Sequence, residues 1–266
     1  MQLAVAARTD VGMIRSGNED NLFANPSKHP GLFAVADGMG GHAAGEVASK
    51  MAVEIIVEEL APIHDPRDPA TVAAVIEALQ QANRRIYDRT LSEADKQGMG
   101  TTASVLLLGN NRYLIGQVGD SRVYLLRDGV LQQLTKDHSY VQEQVDAGYL
   151  TPEQARYHPY SNVITRCVGA SDDVEPDTYL GGVQKGDIYL VASDGLTGMV
   201  DDTRIQAILL AKSGPGRMVD ALINEANGRG GLDNITAIVV QVSELDDDDD
   251  LPPSLADTQM MPIPEA

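Results

Sequence analysis

Apolar residues in this chain recur with two periods. From Leu3 to Thr9 they alternate weakly, and from Gly31 to Ala36 they run almost unbroken until an Asp37-Gly38 turn signal. Both stretches predict strands, the second placing Asp37 at a strand end. Between Ala43 and Leu60 the spacing changes. Val47, Met51, Ile55 and Leu60 recur near the helical period, with Glu54, Glu58 and Glu59 left for an outer face. Asp68-Pro69 is an N-cap and first-turn pair, and the helix it opens carries Val72, Val75, Ile76, Leu79 and Ile86 on one side as far as Thr90.

Four short β-prone runs follow, Thr101 to Leu108, Tyr113 to Val118, Arg122 to Leu126 and Val130 to Leu134, parted by Gly109-Asn110, Gly119-Asp120 and Asp128-Gly129. Such close spacing predicts one antiparallel meander. The pattern weakens from Asp137 to Pro176, where helical fragments near Val141 and Thr151-Pro152 suggest a mobile surface insertion. A buried-type strand from Asp187 to Ala192 stops at Ser193-Asp194-Gly195. Helices are expected over Thr203 to Ala211 and Arg217 to Asn227, and a last strand, Ile235 to Val242, starts after Asp233-Asn234. Strands, paired helices, more strands, helices and a final strand make an α+β arrangement of sheets covered by helices.

Charge narrows the functional classes. Lys and Arg total 20 against 39 Asp and Glu in 266 residues, a formal net charge of -19, which repels a phosphate backbone and excludes nucleic acid as an expected partner. Part of the excess lies in 244–266, which holds the run Asp246 to Asp250 and no Lys or Arg, and is expected to be a disordered acidic tail after a catalytic domain at 1–243. Cys167 is the sole cysteine, so an intramolecular disulfide and a thiolate metal site are both excluded. Because no apolar run approaches the roughly 20 residues of a bilayer span, a cytoplasmic protein is expected.

The recurrent chemical feature is an Asp where a strand meets a turn: Asp37-Gly38, Gly119-Asp120, Asp194-Gly195 and Asp233-Asn234, with Glu19-Asp20 ahead of an early strand. One such Asp is ordinary turn chemistry. Several together, in a chain poor in His and Cys, suit hard divalent cations such as Mg²⁺ or Mn²⁺, which choose oxygen ligands. A pair of such ions can activate water for attack on phosphorus without a protein nucleophile.

The ordered blocks Arg15-Ser-Gly-Asn-Glu19-Asp20, Asp37-Gly-Met-Gly-Gly-His42, Gly100-Thr-Thr-Ala, Gly119-Asp-Ser-Arg122, Ser193-Asp-Gly195 and Gly231-Leu-Asp-Asn234-Ile-Thr236 resemble the protein phosphatase 2C family, bacterial type, from about Val5 to Val242. The resemblance implies a central antiparallel β-sandwich flanked by helices on both faces, a four-layer αββα fold with metals at one end. It also implies a Mn²⁺- or Mg²⁺-dependent protein serine/threonine phosphatase with two ions per site and a weaker third. By the same resemblance, Asp37 bridges two ions beside the Gly38 carbonyl, Asp194 and Asp233 hold one of them, and Asp20 serves the other either directly or from its outer shell. Glu19 then acts through water, and Asp120 takes the third ion with Asp194. Arg15 grips the substrate phosphate, a task suited to a planar bidentate donor, and Ser139 to Gly169 corresponds to a flap that influences substrate choice.

His42 is the candidate general acid, with a helix-cap or scaffold role as the competing reading. Gly40, Gly41 and Gly45 are expected to serve tight packing. His138 and His158 lie outside the matched metal blocks and are expected to be structural, as is Cys167. The expected partners are phosphoserine and phosphothreonine proteins and a bacterial protein kinase whose action the enzyme reverses, with the chain a monomer. The rival readings are a small-molecule phosphohydrolase and a non-catalytic phosphoprotein-binding domain.

Overall fold

The computed structural model describes residues 1–27, 30–40, 43–63, 65–211, 214–247 and 259–261. In chain order the strands are β1 (Gln2–Asp10), β2 (Asp20–Asn25), β3 (Gly31–Met39), β4 (Gly100–Thr101), β5 (Ala103–Gly109), β6 (Arg112–Val118), β7 (Arg122–Arg127), β8 (Val130–Gln133), β9 (Asp177–Gly182), β10 (Ile188–Ala192), β11 (Ile235–Glu244) and β12 (Gln259–Met261). The α-helices are α1 (Ala43–Glu59), α2 (Pro69–Ser92), α3 (Tyr140–Asp146), α4 (Pro152–Arg156), α5 (Asp194–Thr197), α6 (Asp202–Leu210) and α7 (Pro215–Gly228). No helix among the described residues is long and apolar enough to cross a membrane.

Two antiparallel sheets stack face to face, one in the order β1-β11-β10-β7-β8 and the other in the order β12-β9-β6-β5-β3-β2, with β4 beside β3. Strand periodicity explains why the central strands are buried on both faces. On β3, Phe33 and Val35 enter the layer between the sheets, whereas Leu32, Ala34 and Ala36 face Ala48, Ala52 and Ile56 of α1 and Val75 and Leu79 of α2. On β11, Ile238 and Val240 enter the shared layer while Ala237 and Val239 meet Met218 and Leu222 of α7. Three apolar layers between four tiers of structure give the αββα sandwich expected from the sequence. Asp68 caps α2 by accepting from the Ala70 N–H at 2.8 Å, with Pro69 in the first turn.

The expected single meander is corrected. β5 and β6 pair in one sheet and β7 and β8 in the other, so Gly119-Asp120-Ser121 is a crossing between sheets and not a hairpin turn. Gly119 makes the corner with φ of +102°, and a Cβ there would meet Thr102 Cγ2 at 2.6 Å. Asp120 is thereby delivered to the open end of the sandwich.

The tail boundary also moves. Glu244 ends β11, and Asp246, the first residue of the acidic run, is docked on the β5–β6 turn. Its N–H donates to Asn111 Oδ1 at 2.8 Å, its Oδ2 accepts from the Asn110 N–H at 2.8 Å, and its Oδ1 pairs with the Met1 amine. These donors give the carboxylate partners that open solvent was expected to supply. Gln259–Met261 adds a strand antiparallel to Thr178–Leu180 of β9. The rest of the acidic segment, 248–258 and 262–266, lies outside the described residues.

Candidate active site

Side-chain parity brings the carboxylates together. Asp37 follows Phe33 and Val35 on the inter-sheet face of β3, and Asp20 precedes Leu22 and Ala24 on the same face of β2. The two aspartates are direct partners in the β2–β3 ladder. Asp194 opens α5 where β10 ends, Asp233 stands just before β11, and Asp120 sits on the sheet crossing. Asp37, Asp120, Asp194, Asp233, Glu19 and Arg15 all line one cleft of about 730 Å³.

Each acidic group is held by neighbours at the sandwich end. Asp20 is buried, and its Oδ2 accepts from Ser193 Oγ at 2.8 Å and Thr236 Oγ1 at 2.6 Å, which ties β2 to the opposite sheet. The Asp37 backbone donates to Thr102 Oγ1 at 3.0 Å, and its carbonyl accepts from Thr101 Oγ1 at 2.9 Å. Arg15 Nη2 donates to Asp233 Oδ2 at 2.6 Å from a half-exposed side chain. The Glu19 carbonyl accepts from Gly38 N–H at 3.1 Å and from Ser49 Oγ at 2.5 Å. A Cβ on Gly45 would meet the Gly38 carbonyl carbon at 2.9 Å, so this glycine serves the close packing expected of it.

The cluster is electrostatically costly without a cation. Burial, then the charges of Asp20, Asp194 and Asp120, hold the Asp37 carboxyl well above the ordinary carboxylate range. Burial likewise raises Asp120, with Asp194 and Asp137 adding to it, and raises Asp194 despite its hydrogen bond with Asp37. Asp20 is pushed up to about 7 by burial, against the pull of its two hydroxyl donors. As placed, the described carboxylates do not enclose a ready coordination sphere, since Asp37 and Asp194 bond to each other and Asp233 turns to Arg15. Asp20 Oδ1 and Asp194 Oδ1 are nevertheless buried with no hydrogen-bond partner. Buried carboxylate oxygens lacking donors, in an all-oxygen setting, fit a hard divalent cation.

A model of the family described as protein phosphatase 2C matches residues 15–217. The chain belongs to this family. The serine/threonine phosphatase stp of Listeria monocytogenes is 40% identical over 237 residues, covering 88% of this chain and 94% of that protein. The crystal structure of the Mycobacterium tuberculosis serine/threonine phosphatase PstP/Ppp superposes with a TM-score of 0.83 at 39% identity, covering 91% of this chain and 99% of that one. A PstP catalytic domain in complex with two manganese ions gives a TM-score of 0.81 at 39% identity, covering 91% and 99%. This member of the protein phosphatase 2C family, which is a metal-dependent family, is accordingly a protein serine/threonine phosphatase.

Within this phosphatase, Asp37, Gly38, Asp120, Asp194, Asp233, Glu19 and Arg15 line one cleft, whereas Asp20 does not line it and is held, buried, by Ser193 next to Asp194. His42 lies outside the described residues, as does Gly41. His138 and His158 do not line the cleft. His138 bonds to Gly119 and Asp177, and His158 packs against Tyr140 and Tyr160 in the flap. Burial and the Asp120 charge raise the Cys167 thiol, which disfavours a nucleophilic thiolate.

Three residues given no role by the sequence hold Asp20 and the Arg15 loop in place. Asn234 donates to the Val11 and Gly17 carbonyls at 2.9 Å each and accepts from Glu19 N–H at 2.8 Å, so it fastens the Arg15 loop beside Asp233. Ser193 and Thr236 do the same for Asp20. Their signal in the sequence was adjacency to an assigned Asp and strand parity, which becomes informative only once the sheets are paired.

Proposed function

We propose that the enzyme hydrolyses phosphoserine and phosphothreonine in proteins with two Mn²⁺ or Mg²⁺ ions held by Asp37, the Gly38 carbonyl, Asp194, Asp233 and Asp20, and that it reverses the action of a bacterial protein kinase as a cytoplasmic monomer. Glu19 would act through water, and Asp120 with Asp194 would hold a weaker third ion. The observation that carries the reading is the convergence of Asp37, Asp120, Asp194, Asp233 and Glu19 beside one arginine, with unpartnered buried oxygens on Asp194 and on Asp20, which Ser193 holds next to Asp194. When bound, such ions supply a water nucleophile active near neutral pH and charge neutralisation for the phosphoryl group. The chain's own residues do the rest. Asp20 is anchored by Ser193 and Thr236 so that one oxygen remains for the ion, and Arg15, released from Asp233, orients two phosphate oxygens.

Turnover of a phosphopeptide with Mn²⁺ should vanish on chelation. Metabolite phosphates turned over faster than phosphopeptides would favour a small-molecule role instead. Replacing Arg15 by Ala is expected to lower kcat/KM by about 10- to 100-fold, from the roughly 1.5–3 kcal/mol contributed by a charge-assisted hydrogen bond. An unchanged kcat/KM would remove Arg15 from phosphate recognition.

The raised carboxyls also set a pH dependence. A carboxyl whose folded value lies above its unfolded one binds more protons folded than unfolded, so stability present below about pH 4 is lost as pH rises. For Asp20 that window runs from the ordinary 3.8 to about 7. In chelator, the cluster is expected to lower the melting temperature between pH 5 and pH 8, and Mn²⁺ should raise it more at pH 8 than at pH 5. Equal Mn²⁺ shifts at both pH values would argue against these carboxylates as the ligands.

A further inference from the structure

His138 is 7% exposed, and nothing in the reaction uses it. It grips the sheet crossing twice. Its backbone N–H donates to the Gly119 carbonyl at 2.9 Å, and its ring Nδ1 accepts from the Gly119 N–H at 3.1 Å. A donor on Nδ1 fixes the proton of the neutral ring on Nε2. Nε2 faces Asp177 Oδ2 at 3.2 Å. Arg166 Nη1 also lies 3.1 Å from Nε2, but both nitrogens carry hydrogen. The arginine therefore bonds to Asp177 Oδ1 at 3.0 Å and the Glu175 carbonyl at 2.7 Å.

The opposite side of His138 belongs to the flap. Its carbonyl accepts from the Thr165 N–H at 2.8 Å, and Ser139, the next residue, bridges to Ile164. Asp137, the preceding residue, is clamped by Arg122, whose Nε and Nη2 donate to its carboxylate at 3.0 and 2.7 Å. Both backbone groups of Gly119 are thus tied to the residue from which the flap departs, and the residue after Gly119 is Asp120.

We infer that His138 is a positioning residue that fastens the Gly119-Asp120 corner to the returning end of the flap, so that the placement of the Asp120 carboxylate and the order of the flap change together. The ring joins the corner through Nδ1 to Asp177 of β9 through Nε2, and Asp177 Oδ1 in turn accepts from Arg166 of the flap. The functional half rests on the reading of Asp120 as a cation ligand.

Two variants divide the ring. His138→Asn offers an acceptor near the Nδ1 position and cannot reach Asp177, whereas His138→Gln reaches toward the Nε2 position and leaves the Gly119 N–H without its acceptor. In metal-free full-length protein, hydrogen exchange should be faster at 118–122 in His138→Gln and faster across 160–168 in His138→Asn. The Mn²⁺ concentration for half-maximal phosphopeptide turnover should rise about 10-fold or more in His138→Gln, the size of effect seen when support of a ligand is lost, with kcat at saturating Mn²⁺ within about twofold. Asp120→Asn, measured in parallel, should raise the same requirement. Wild-type exchange at 118–122 in His138→Gln overturns the inference. So does a shifted Mn²⁺ requirement in Asp120→Asn that His138→Gln fails to share. An unshifted requirement in Asp120→Asn removes Asp120 from the ligand set and overturns the functional half, whatever the exchange shows.

Discussion

Asp37→Ala is expected to reduce phosphopeptide turnover by on the order of 10³-fold or more at saturating Mn²⁺, because it removes the carboxylate at the centre of the acidic cleft. The loss should appear in kcat and should not be recovered by more substrate. Its effect on stability has the opposite sign. Asp37 is the residue whose charge is opposed by burial and by Asp20, Asp194 and Asp120 together, so in chelator Asp37→Ala should melt no lower than wild type above pH 7, and higher if the repulsion it relieves exceeds the contacts it loses. Turnover within tenfold of wild type would show that the cleft is not organised around Asp37. A lower melting temperature in chelator would show that the cluster is a structural network and not a strained site.

The second large effect is expected at the far end of the sandwich. Arg127 and Asp187 form a bidentate pair at 2.8 and 2.6 Å with side chains 4% and 1% exposed, and Asp187 also accepts from the Gln184 N–H at 2.7 Å. Asp187→Ala leaves a buried guanidinium without its carboxylate and should cost about 3–5 kcal/mol in denaturant unfolding. Replacing both partners by apolar residues, Arg127→Met with Asp187→Leu, should restore part of that stability, since the desolvation of two charges disappears with the pair while the Gln184 N–H and the Gly182 carbonyl lose their partners. Phosphopeptide turnover of the folded fraction should stay at the wild-type level in both proteins. A loss below 1 kcal/mol in the single variant would mean that water reaches the guanidinium.

Local signals made much of this molecule legible. The long helices α1 and α2 were visible because amphipathic spacing over several turns and the Asp68-Pro69 start are properties of the segment itself. β3, β10 and β11 were visible because strands covered on both faces become continuous apolar runs. What one segment cannot encode is the strand it pairs with. Gly119-Asp120 has the composition of a hairpin turn, and only the pairing of β6 with β9 and of β7 with β10 turns it into a crossing. β9, Asp-Thr-Tyr-Leu-Gly-Gly, is short and ends in glycines, so its strand character comes from its neighbours. The cleft aspartates were legible as turn residues in an ordered series, whereas Asn234, Ser193 and Thr236 act across sequence separations that no local pattern reports.

The inter-sheet face of β3 has a consequence for how this enzyme tolerates change. Phe33, Val35 and Asp37 share that face at intervals of two residues, so the packed interior and the reactive end are cut from a single alternation. An insertion or deletion of one residue between Phe33 and Asp37 would break that alternation: with Phe33 kept in the inter-sheet layer Asp37 turns toward α1, and with Asp37 kept in the cleft Phe33 turns toward α1 while Leu32 turns toward the other sheet. Length in this strand is therefore under a stricter constraint than identity: apolar residues can be traded for others of similar volume, but the count between the first core position and the aspartate cannot drift.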